Sequence, residues 1–97
     1  MMRKTGTKTP RQLERHLKGV ANHRRIAILM TVAKNRGITV EGLSNNLRCN
    51  FKTVSEHTRR LVLAGLIHKR YVGRRVAHTL SPYGKILHEF IKIFQHS

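Results

Sequence analysis

The chain has 97 residues, with 20 Lys or Arg against 4 Asp or Glu, a formal net charge of +16 and a pI near 11.7. That length suits one compact domain, and the charge points to a polyanionic partner such as nucleic acid or an anionic membrane surface. It argues against acid-base catalysis and hard-metal binding, because Glu14, Glu41, Glu56 and Glu89 fall on four separate predicted helices and there is no Asp.

No apolar run approaches the roughly 18 residues of a membrane span, and no apolar signal segment follows the basic start, so a cytoplasmic protein without membrane contact is expected. Cys49 is the only cysteine and is expected as a buried apolar thiol. The seven histidines, His16, His23, His57, His68, His78, His88 and His96, form no tight His-x-x-x-His pair. No catalytic residue, metal site or cofactor is expected, and isolated histidines on so basic a chain read as surface or phosphate-contacting groups.

Residues 1–8 lack apolar periodicity and are expected as a flexible basic arm before a single domain over 9–97. Thr9, Pro10 and Gln12 predict a capping box opening a first helix, with Leu13, Leu17 and Val20 on one face and Gly19 near its end. Asn22 caps a second helix whose Ile26, Leu29, Met30 and Ala33 recur at helical spacing, ending near Asn35 to Gly37. Thr39 caps a short third helix, with Ile38 stapled to Leu43 and Leu47 continuing the stripe; Gly42 inside it costs about 1 kcal/mol against Ala unless close packing requires it.

Arg48, Cys49 and Asn50 interrupt the pattern, and Asn50 caps a fourth helix over 51–65 that faces the core with Val54, Thr58 and Leu61. Residues 67–72 and 75–80 are β-rich and flank Gly73 and Arg74, which predicts a hairpin wing over 67–80. Ser81 and Pro82 restart a helix over 82–96, lined on one face by Tyr83, Ile86, Leu87, Phe90, Ile93 and Phe94 and widened by Ile91. The resulting fold class is mostly α with a small hairpin, in the order ααααββα: a winged helix-turn-helix.

Charge follows this plan. Residues 1–25 and 48–75 each carry eight Lys or Arg and one Glu, and the rest of the chain is nearly balanced. The fourth helix presents Lys52, Ser55 and Arg59 opposite its core face, a suitable arrangement for the major groove of B-DNA. Arg59 suits guanine, and Ser55 suits base or phosphate. Glu56 suits either the cytosine amino group or an intrahelical pair with Lys52 or Arg60. Asn50 and Thr53 are expected to meet phosphate at the helix N-terminus, whereas Phe51 suits a thymine methyl contact but is expected rather to pack beneath the turn. Arg74 and Arg75 at the wing tip, with Lys69 and Arg70 lower down, suit the flanking groove or its phosphates.

The residues also resemble a known family, the ArsR/MarR-type winged-helix regulators, over about 13–90. Residues 17–29 (LKGVANHRRIAIL) are similar to the ArsR entry into the second helix, with Arg25 at the family-typical position. Residues 53–58 (TVSEHT) and 64–67 (AGLI) resemble the recognition helix, and 80–84 (LSPYG) resemble the run after the wing in MarR-like proteins. The resemblance implies a homodimeric transcription factor with its first and last helices at the interface, so Leu13, Leu17, Tyr83, Ile86, Leu87, Phe90, Ile91, Ile93 and Phe94 are the interface candidates. Thr58 stands where Leu is usual, Glu56 where a basic residue is common, and 40–47 (VEGLSNNL) lack the cysteine motif of metal sensors. The expected partners are double-stranded DNA and a second copy of the chain, and the expected role is repression. The alternative is a non-specific architectural DNA- or RNA-binding winged-helix protein, against which Phe51 and Tyr71, the only aromatics outside the last helix, are too few for a base-stacking platform.

Overall fold

The computed structural model describes residues 7–97, so most of the expected arm over 1–8 lies outside the described residues. Seven elements follow in the expected order: α1 (Pro10–Val20), α2 (His23–Lys34), α3 (Val40–Leu47), α4 (Phe51–Leu63), β1 (Ile67–Val72), β2 (Arg75–Leu80) and α5 (Pro82–Gln95). Each helix opens on the cap its sequence predicts. Thr9 and Gln12 form a reciprocal capping box, and Asn22, Thr39, Asn50 and Ser81 each accept from backbone N–H groups of the following turn.

The core centres on α2, which packs against α1, α3, α4, β2 and α5. Its fully buried residues are Ile28, Leu29 and Val32, joined by Leu43, Val54, Leu61, Leu66 and Ile67. This corrects the expected phase of α2: Ile26, Met30 and Ala33 are only half-buried. A helix apolar on several sides carries a weak directional pattern, so its neighbours decide which residues reach the centre.

Helix α4 ends in a Schellman motif, with Gly65 at φ +77°, Leu66 N–H donating to Leu61 O and Gly65 N–H to Val62 O. Distant side chains satisfy the carbonyls at and just beyond its end. Arg15 Nη2 donates to Leu63 O (3.1 Å), His16 Nδ1 to Ala64 O (2.8 Å) and Ser81 Oγ to Gly65 O (2.7 Å). Two glycines let the chains approach here: a Cβ on Gly19 would overlap Ala64 Cβ, and one on Gly84 would overlap the Leu66 carbonyl. Gly42 also has a packing reason, since a Cβ there would lie 2.8 Å from Ile38 Cγ1.

The antiparallel hairpin turns through Gly73 and Arg74, with Val72 opposite Arg75. Only Gly73 has positive φ (+64°), as a type II′ turn requires. A feature absent from the expected order extends the hairpin: Ile38 forms an isolated bridge with His78, whose N–H and Nδ1 both donate to Ile38 O, and Gly37 N–H donates to His78 O. His78 is thus a buried structural residue, contrary to the expected surface role, and His16 is likewise committed to Ala64 O.

Thr58 occupies a fully buried position (2 % exposed) and its Oγ1 has no hydrogen-bond partner among the described residues. An unsatisfied buried hydroxyl costs about 1–3 kcal/mol, and an isosteric apolar replacement avoids that cost. Thr58→Val is therefore expected to stabilise the fold by about 1 kcal/mol, raising the thermal midpoint by about 4–8 °C. Calorimetry at a fixed protein concentration checks this, and a lowered midpoint would show that Oγ1 is satisfied.

Candidate nucleic-acid interface

The short turn between α3 and α4 sets where α4 begins. Arg48 takes the left-handed conformation (φ +52°) at the C-cap of α3, and Ser44 Oγ donates to Cys49 O (2.6 Å). Asn50 Oδ1 then accepts from Lys52 N–H (2.8 Å) and Thr53 N–H (3.2 Å). Its carbonyl oxygen is committed to the cap, which leaves its side-chain NH₂ as the group suited to a phosphate oxygen.

Beyond the cap, Val54, Thr58 and Leu61 are buried while Lys52, Glu56, Arg59 and Arg60 are exposed; Thr53 and Ser55 are half-buried between the two faces. Phe51 departs from its expected place beneath the turn. It is 52 % exposed at the first position of α4, while Leu43 and Val54 are buried in the core and Leu47 packs partly buried against it. Cys49 is half-buried, and its sulfur accepts from Arg24 Nη1 (2.7 Å) instead of sitting in a purely apolar site.

Glu56 ties the outer face together. Its carboxylate accepts from Arg59 Nε (3.2 Å) and Nη2 (2.9 Å), and from Arg60 Nε (3.1 Å). Of the two expected intrahelical partners, Arg60 makes the bond and Lys52 does not; Arg59, three residues on, was the pairing not anticipated, though its i,i+3 spacing is a standard helix signal. The hydrogen bonds from Arg59, then Arg60, hold the Glu56 carboxyl below its ordinary range, so it stays ionised at neutral pH.

On the wing, Lys69, Arg70, Arg74 and Arg75 are all exposed. The register separates two of them: Arg70 lies opposite Ala77 on one face, while Lys69 lies opposite the buried His78 on the other. The tip arginines at 74 and 75 are open to solvent. Among the described residues no group of three or more His, Cys, Asp or Glu could hold a metal ion, and no helix is long and apolar enough to cross a membrane.

A second surface lies on α5. Tyr83, Ile86, Phe90, Ile93 and Phe94 are 47–70 % exposed, and the Phe90 and Phe94 rings stack at 5.3 Å. Leu87 and Ile91 pack, partly buried, against the domain's own core, and Leu87 also lines the groove beside the stripe. Leu13 and Leu17 of α1 are exposed beside this stripe, and with Leu66, Tyr83, Ile86 and Phe90 they line an apolar groove of about 420 Å³. Lys8 Nζ sits 3.8 Å from the centre of the Tyr83 ring at its rim.

These features define a winged helix-turn-helix protein: a capped helix projecting from a three-helix core, followed by a hairpin and a long terminal helix. The fold is that of ArsR/MarR-type transcriptional regulators. HlyU from Vibrio cholerae is similar at 28 % identity over 90 % of this chain and 95 % of its own, with a TM-score of 0.80. The homodimeric winged helix-turn-helix DNA-binding domain of Mb0332 from Mycobacterium bovis, a possible ArsR-family transcriptional regulator, matches over 99 % of this chain and 91 % of its own, at 24 % identity and a TM-score of 0.81. MarR shares the fold at 19 % identity and a TM-score of 0.74, over 88 % of this chain and 65 % of its own. No family model and no curated protein matches the sequence.

His57, on the inner side of α4, carries a buried Nδ1 with no partner among the described residues. Burial first, then the charges of Arg25 and Arg24, push its pKa below the ordinary value of 6.5. The unfolded chain therefore binds this proton more readily than the folded one. The stability contributed by neutral His57 is complete above about pH 6.5 and declines as the pH falls below it toward the folded pKa. Urea unfolding at pH 7 and pH 5 should show a smaller loss for His57→Gln than for wild type; equal losses would remove His57 from the acid response.

Proposed function

We propose that the protein is a homodimeric, sequence-specific regulator that binds double-stranded DNA and represses transcription. In this reading α4 enters the major groove and the wing meets the flanking groove or phosphates. The observation that carries it is the exposure of a cationic α4 face (Lys52, Arg59, Arg60) and a cationic hairpin tip (Arg74, Arg75) on this fold. Asn50 and Thr53 orient the helix on phosphate, while Ser55 and Arg59 face base edges. Phe51, exposed at the helix start, is placed to touch a thymine methyl group.

Selection from random duplexes with a structured-RNA competitor should recover a defined site; recovery of RNA, or of duplex without a consensus, would instead favour an architectural role. Each phosphate neutralised adds a slope of about −0.9 to log K against log salt, so Arg74→Glu with Arg75→Glu should weaken binding and flatten that slope by about 2 units. An unchanged slope would remove the wing tip from the interface.

The exposed α5 stripe supports the dimer, because a contiguous apolar patch of this kind is unusual on a monomer and a second copy covers it through a self-complementary contact. Two-fold symmetry then sets the recognition helices about 34 Å apart and favours an inverted-repeat site. Sedimentation equilibrium at micromolar concentration should give a dimer for wild type and a monomer for Phe90→Asp with Phe94→Asp. A monomeric wild type, or a variant that dimerises normally, would refute the assignment.

A further inference from the structure

The segment over 48–75 carries eight Lys or Arg and a single carboxylate, Glu56. That carboxylate lies on the outer face of α4, among the groups suited to DNA, where a like-charged phosphate backbone is expected to approach. A half-exposed pair such as Glu56–Arg59 contributes little to folding stability, so stability gives little reason for an acid at this position.

The bonding pattern suggests a different use. Glu56 occupies the Nε and Nη2 edge of Arg59 and the Nε of Arg60. Arg59 Nη1 and the second hydrogen of Nη2 have no partner among the described residues, and these form the end-on fork that fits guanine O6 and N7. We propose that Glu56 is a positioning residue that restrains Arg59 and Arg60 and thereby raises the ratio of specific to non-specific DNA binding. The proposal rests on the reading that α4 enters the major groove.

The two binding modes place different demands on this cluster. In a non-specific complex the bases go unread and affinity comes from cations on phosphates. Held by Glu56, Arg59 and Arg60 offer their remaining N–H groups only outward from the helix face, and to swing sideways onto flanking phosphates they must leave Glu56, which strands a bare carboxylate beside the DNA backbone. In a specific complex Arg59 meets guanine through its end-on fork and keeps its bond to Glu56. The acid therefore penalises the non-specific mode more than the specific one, a discrimination built from repulsion as well as attraction.

Fluorescence anisotropy with the full chain tests this, using a selected duplex and a scrambled duplex at several salt concentrations. Glu56→Gln keeps the shape of the side chain and removes its charge. It should tighten scrambled-duplex binding about tenfold, steepen that salt slope by about 0.9 per guanidinium released, and lower the specific ratio, with the thermal midpoint unchanged. In an Arg59→Ala, Arg60→Ala background the same substitution should tighten binding to both duplexes about equally and leave the specific ratio unchanged.

An unchanged ratio would overturn the proposal. So would a fall in the ratio of the same size without the two arginines, which would mean the acid does not act through them. Loss of preference at a single C·G pair with scrambled binding unaltered would make Glu56 a direct reader of cytosine and equally overturn it. A wild type with no preference for any duplex refutes the regulator reading itself, whereas a preference that Glu56→Gln leaves intact refutes this inference alone.

Discussion

The rest of the structure depends on how the C-terminal end of α4 is held. Three carbonyls there, at Leu63, Ala64 and Gly65, are satisfied by Arg15, His16 and Ser81, which come from both sides of the domain in sequence. The approach is close enough that Gly19 and Gly84 leave no room for a Cβ. A helix anchored so firmly at one end, with Val54, Thr58 and Leu61 buried along its inner face, presents its N-terminal end and outer face in a defined direction. The same contacts connect α4 to α1 and to the start of α5, so the candidate DNA-binding helix and the apolar stripe belong to one continuous packing unit.

Charge on this chain is arranged for a partner. With 4 acids against 20 Lys or Arg, most cations have no carboxylate to pair with, and among the described residues each exposed pair that forms lies within a single helix, α1, α4 or α5. Such pairs add little to folding. Their interest lies in which cations they restrain, and on α4 the restrained ones are the two arginines on the outer face.

Size explains the division of α5. A chain of 97 residues has a small interior, already occupied by α2, α4 and the base of the hairpin, and only Leu87, Ile91 and Gly84 of α5 reach it. The remaining apolar residues of α5 face outward beside Leu13 and Leu17, giving two exposed apolar helix faces side by side. One helix thus closes its own core on one side and offers apolar surface on the other.

The element order and all five helix starts were legible in the sequence, because capping and hairpin turns are decided by residues within four positions of one another: Thr9 with Gln12, Asn50 with Thr53, Gly73 with Arg74. The inward face of α4 was legible too, from the spacing of Val54, Thr58 and Leu61. Tertiary structure alone decided the contacts between distant segments: the Ile38–His78 bridge, the commitment of His16 to Ala64 and the centring of the core on Ile28 and Val32. It also decided the place of Phe51, which is exposed at the start of α4, an outcome that its own neighbours in sequence do not decide. Periodicity specifies which side of an element is apolar, but which neighbour meets it depends on packing the whole chain at once.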